Sequence, residues 1–98
     1  MKSIDVFGRK IKIKLVSRMP EGYEYAAGLY CPEEGEILII KGLHKRIHEE
    51  TLYHEIFHAV MDRVGLRQAR ISSDVHEIMC EAFSRFAVEK LEFKKRSR

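Results

Sequence analysis

No stretch of this 98-residue chain approaches the ~18 consecutive apolar residues that a bilayer span requires, so a membrane-spanning protein is excluded as a reading. The start, "MKSIDVFGRKIKIKLVS", alternates charge with hydrophobicity too closely to hold a signal-peptide core. Both absences lead to the expectation of a cytoplasmic protein without membrane association. Cysteine is scarce. Cys31 and Cys80 stand alone without CxxC spacing, which argues for two reduced thiols and against a disulfide framework. Repeats, low-complexity segments and linkers are also missing, so residues 1–98 read as a single domain, too short for a catalytic unit plus a separate substrate-binding one. The net charge is only +3, and its basic part gathers in the tail "KLEFKKRSR". That tail, frayed over residues 93–98, is expected to be solvated and to attract nucleic-acid phosphate only unspecifically.

What is present is a globular composition, 45% hydrophobic and 34% charged, divided into a strand-like first half and a helical second half. In "RKIKIKLVS" Ile11, Ile13 and Leu15 share one face while Lys10, Lys12 and Lys14 share the other, the alternation of a half-buried strand. Gly8, after the apolar piece "IDVF", predicts an N-terminal hairpin, and "MPEG" predicts a turn. "YEYAAGLY" and "EILIIKG" flank the turn "CPEEG" and supply two more strands. The expected fold class is α+β: a small antiparallel sheet of three or four strands with helices behind it.

From about residue 48 the apolar period lengthens to three and four. Leu52, Ile56, Ala59, Val60 and Val64 form a helical stripe that Gly65 ends. A second helix starts near Asp74, read as its N-cap, with Val75, Ile78, Met79, Ala82, Phe83, Phe86 and Leu91 as its buried stripe. Glu77 and Glu81, four apart, are neighbours on one face of it.

The first helix carries the chemistry in "TLYHEIFHAV", residues 51 to 60. At about 100° per residue, His54 and His58 lie about 40° apart, with Glu55 and Asp62 on the same side. Two neutral imidazoles one turn apart can reach one zinc ion, and the glutamate beside the first is placed to take a proton from an activated water and return it to a leaving amine. The same residues on a charged helix can be merely solvated, since HExxH also arises by chance. Three features of context favour the metal: the helix is strongly periodic, both histidines share a face, and a helix with paired carboxylates follows.

"ETLYHEIFHAVMDRVGL" followed by "DVHEIMCEAFSRFAVEKL" resembles the compact zincin-type, gluzincin-like metallopeptidases of bacteria, phages and prophages, including the ImmA/IrrE group. The likeness extends over about residues 27–91, and "AGLYCPEEGEILII" looks like the hairpin that leads to the active-site helix in that family. The Ala-Asn-x-Phe-Ala run and the Leu-x-Pro of many ImmA/IrrE members are absent. Met61 and Val64 stand where a metzincin needs Gly and a third His. The resemblance implies one zinc ion per chain held by His54, His58 and Glu77, with Glu81 either beside the ligands or itself the third ligand, and Glu55 as general base.

Other polar residues carry weaker implications. His44 and His48 are read as surface histidines at a helix start, and Cys80 as a small core residue. Tyr23, Tyr25, Tyr30 and His76 are all candidates for stabilising an oxyanion. The functional expectation is a zinc metallopeptidase, a hydrolase whose peptide or protein substrate lies along an edge strand "EILII". A regulatory partner protein could complete so small a cleft. The rival expectation is a non-catalytic zinc-stabilised module that binds protein or nucleic acid, in which Cys80 or His76 closes the metal site.

Overall fold

The structure, a computed structural model, describes residues 2–65 and 72–96, with side chains as far as Lys90. Six elements follow one another: β1 (Lys2–Val6), β2 (Arg9–Val16), β3 (Gly28–Cys31), β4 (Glu36–Ile40), α1 (Lys45–Arg63) and α2 (Ser73–Arg96). The α+β class holds, but the sheet is mixed and not wholly antiparallel. Its order is β1-β2-β4-β3, with β2 and β4 parallel and the outer pairs antiparallel.

The reason lies in the residues of β4. "EILII" buries Ile37, Leu38 and Ile39 in succession, the continuous apolar run of a strand with neighbours on both sides. The chain leaving β2 therefore crosses to the far side, and β3 returns as the edge. This corrects the expectation that "EILII" is the edge strand. β3 is also shorter than expected, because Tyr23 to Ala26 turns on itself through an Ala26 N–H to Tyr23 carbonyl bond of 3.0 Å. The N-terminal hairpin forms as predicted, with Phe7 and Gly8 at positive φ and the Asp5 carboxylate accepting from the Gly8 N–H at 2.8 Å.

One face of the sheet packs on α1, with Ile11, Ile37, Ile39 and Ala59 fully buried and Leu52, Ile56 and Val60 against them. Each large aliphatic side chain so buried contributes about 1.5–3 kcal/mol. Arg63 ties the end of α1 to the hairpin, donating to the Phe7 carbonyl at 3.0 Å and the Val6 carbonyl at 3.3 Å. α1 starts at Lys45, earlier than its apolar stripe suggested, because His44 caps it: Nδ1 accepts from the Arg46 N–H at 3.3 Å. Gly65 at φ 83 follows its end, which leaves Val64 exposed.

α2 packs on α1 with the face opposite to the one its apolar pattern indicated. Cys80, Ser84 and Val88 are buried, whereas Val75, Ile78, Met79, Ala82, Phe83 and Phe86 are exposed. The Leu91 side chain, the side chains of the basic tail and residues 97–98 lie outside the described residues, although the helix backbone runs to Arg96. Its cap is Ser72 and not Asp74, with the Ser72 hydroxyl accepting from the Val75 N–H at 3.2 Å. Among the described residues no helix is long and apolar enough to cross a membrane. Both cysteines are free thiols.

Candidate metal centre

The inverted packing of α2 has a local cause. Glu77, Cys80, Glu81 and His76 lie on the side of α2 opposite its apolar stripe, and that side faces the two histidines of α1. Glu77 spans both imidazoles: Oε1 lies 3.0 Å from His54 Nε2, and Oε2 lies 3.2 Å from His58 Nε2. Glu81 Oε1 lies 3.2 Å from the other ring nitrogen of His54, Nδ1. His54 thus has one nitrogen toward Glu77 and the other toward a second carboxylate, which fixes its ring plane.

The Nδ1 of His58 has different company. His76 Nε2 is 2.8 Å away with the two rings stacked, and Cys80 Sγ is 3.4 Å away. Burial lowers the His58 imidazole below its ordinary range, against the opposing pull of Glu77, and so favours the neutral ring that metal coordination needs. Burial also pushes the Cys80 thiol up to about 12, and Glu77 and Glu55 add to the rise. In this arrangement Cys80 keeps its proton, and its sulfur lies beside His58 Nδ1.

His54, His58 and Cys80 form a group that could hold a metal ion, with donor atoms all within 4.8 Å of one another. Glu77 also reaches both imidazoles, one through each carboxylate oxygen. Ligands arranged tetrahedrally at ~2.0–2.1 Å from zinc stand ~3.3 Å apart, close to the spacing of the Glu77 oxygens from the two Nε2 atoms. Cys80 reaches His58 only at Nδ1, the side of the ring turned away from Glu77. The group that could hold a metal ion is thus His54, His58 and Cys80, and Glu77 lies against the same two imidazoles.

Glu55 is only 8% exposed. It lies about 40° of helix arc from Ala59, at the border between the sheet-facing stripe and the histidine face. Burial pushes its carboxyl up to about 7; His54 opposes the rise, Glu77 adds to it, and a hydrogen bond with the Tyr30 backbone opposes it. Two open clefts meet at this residue. One, of about 320 Å³, includes Gly28, Thr51, His54 and Glu81, and the other, of about 310 Å³, includes Tyr30, His58, His76 and Glu77.

Gly28 is a site residue that sequence reasoning missed. A Cβ there would stand 2.6 Å from Thr51 Cγ2 and 3.0 Å from Glu55 Cγ, so only glycine lets β3 run this close to α1. The one signal was a glycine inside a strand pattern. Asp62 was noted for sharing the histidine face; it accepts from the Tyr30 hydroxyl at 2.8 Å and so joins α1 to the edge strand. Of the four oxyanion candidates, Tyr30 and His76 line a cleft containing Glu55, whereas Tyr23 borders a different hollow and Tyr25 is fully exposed. His44 and His48 take no part in the cluster.

No protein-family model matches the chain, and no curated protein matches it. The functional reading therefore rests on the residues and their geometry.

Proposed function

We propose that this chain is a zinc-dependent metallopeptidase of a minimal, zincin-like kind that hydrolyses a peptide bond in a protein substrate. The observation that carries this reading is the Glu77 carboxylate spanning the Nε2 atoms of His54 and His58, with the buried Glu55 carboxyl beside them at the junction of two clefts. His54, His58 and Glu77 would hold the metal. When bound, zinc supplies Lewis-acid chemistry, acidifying a water toward pKa ~7 and polarising a carbonyl.

The rest of the work falls to the chain's own side chains and backbone. Glu55, with a carboxyl near neutrality, accepts the proton of the attacking water and passes it to the departing amine. Glu81 holds His54 by accepting from Nδ1–H, and His76 and Cys80 hold His58 from behind. The outer edge of β3 has no strand partner among the described residues. It is the place where an extended peptide can pair backbone to backbone, with its side chains entering the two clefts. His76, which lines the cleft with Glu55, is the candidate to donate to the oxygen of the scissile carbonyl, since the Tyr30 hydroxyl donates to Asp62.

The decisive experiment combines metal analysis with one substitution. The purified protein should bind about one zinc per chain, and Glu55→Gln should keep that zinc while losing hydrolysis of a peptide library. Absence of metal after incubation with excess zinc overturns the proposal. A second reading, a zinc-stabilised binding module, draws on the Cys80 thiol in the possible donor group. It requires Cys80→Ala to remove zinc as completely as His58→Ala does.

A further inference from the structure

The outward face of α2 is the least expected surface of the molecule. Ile78 is 67% exposed and Phe86 58%, with Val75 and Met79 exposed beside them, while Phe83 at the margin stacks on Phe57 of α1 at 4.3 Å. Large apolar side chains exposed side by side on one helix face mark an interaction surface.

The pattern within that face points to its occupant. Residues four apart form the surface ridge with which helices pack, and here that ridge is Asp74, Ile78, Ala82, Phe86 and Lys90, all exposed. Its order is acid, large apolar, small, large apolar, base. Under a two-fold axis through Ala82, Ile78 meets Phe86 of the second copy, Asp74 meets Lys90 of the second copy, and the two alanines allow close approach at the centre. A ridge that is its own complement when reversed is what an isologous interface requires.

We infer that the protein forms a two-fold symmetric homodimer through antiparallel pairing of the outward face of α2. His76, Glu77 and Cys80 lie on the side of the same helix that faces α1, with Glu81 at the border of the ridge. The metal-site residues thus turn the polar face of α2 toward α1, and the second copy covers the apolar face.

Sedimentation equilibrium tests this at micromolar concentration. Wild type should run at twice the chain mass of 11.5 kDa. Ile78→Asp should run as a folded monomer by circular dichroism, with dissociation strengthened at least about 100-fold. Asp74→Lys and Lys90→Asp singly should weaken the dimer a few-fold, and the two together should restore it, which tests the antiparallel register independently of the apolar contacts. In a Cys31→Ser background, Ala82→Cys should give a disulfide-linked dimer under mild oxidation. A monomeric wild type, a polydisperse aggregate, or a dimer that Ile78→Asp leaves intact overturns the inference.

Discussion

α1 buries a carboxylate while α2 leaves Ile78 and Phe86 in the open, and the contrast comes from the number of neighbours each helix has. α1 lies between the sheet and α2, so two sides of it are covered and Glu55 is enclosed at their border. Among the described residues α2 touches only α1, so one side is all it can bury there. That side carries Glu77, Cys80 and Glu81, and the apolar stripe turns outward. A hydrophobic pattern states that a face will be covered; it does not state by what.

Breaking the site from the α1 side should have the largest effect. Glu55→Gln is expected to lower hydrolysis by about 10²–10⁴-fold with zinc content unchanged, and His54→Ala to lose both. Parallel measurement of turnover and metal content checks this. A Glu55→Gln protein that loses zinc as fully as His54→Ala would remove the distinction between base and ligand.

The α2 side should divide unequally. Glu77→Ala deletes a donor that meets both Nε2 atoms and should weaken zinc binding far more than Glu81→Ala, whose loss is expected to cost about 10–100-fold. Cys80→Ala should fall at or below the Glu81 value. Competition with a chelating dye at fixed pH ranks the three, and the reverse order for Glu77 and Glu81 would exchange their roles.

Where β3 approaches α1, Gly28→Ala should destabilise by about 1–3 kcal/mol, because its methyl meets Thr51 and Glu55. Denaturant unfolding reads the loss. An unchanged midpoint would mean that the edge strand moves away from Glu55 without cost.

The smallest difference lies in the caps. Ser72→Ala at α2 should cost about 1 kcal/mol. His44→Ala at α1 should cost less, since its 3.3 Å bond caps a helix that the sheet also holds. Thermal melts of the two variants give the order.

Much of this was legible one residue at a time. The alternation in "RKIKIKLVS", the turn at Gly8 and the helical spacing from Leu52 to Val60 each reflect a local rule, and each element formed, although Leu15, expected on the buried face with Ile11 and Ile13, is 56% exposed. The grouping of His54, Glu55 and His58 is local too, because four residues make one helical turn. Glu77 and Glu81 were legible as neighbours on a face, and both meet His54. Gly28 was not, since its constraint comes from Thr51 and Glu55 in another element. His76 was read as an oxyanion candidate or a further metal ligand, and its stacking on His58 depends on how the helices cross.

The sequence by itself determined the α+β class, the two helices, the two imidazoles one turn apart and the carboxylate beside them, because all of these follow from short-range geometry along one chain. Only the tertiary structure decided that β4 lies inside the sheet with β3 at its edge, that Glu55 is buried, and that α2 meets α1 through its polar side. Those outcomes depend on which faces compete for the same partner. α1 has one free side to offer α2, and the glutamates occupy it.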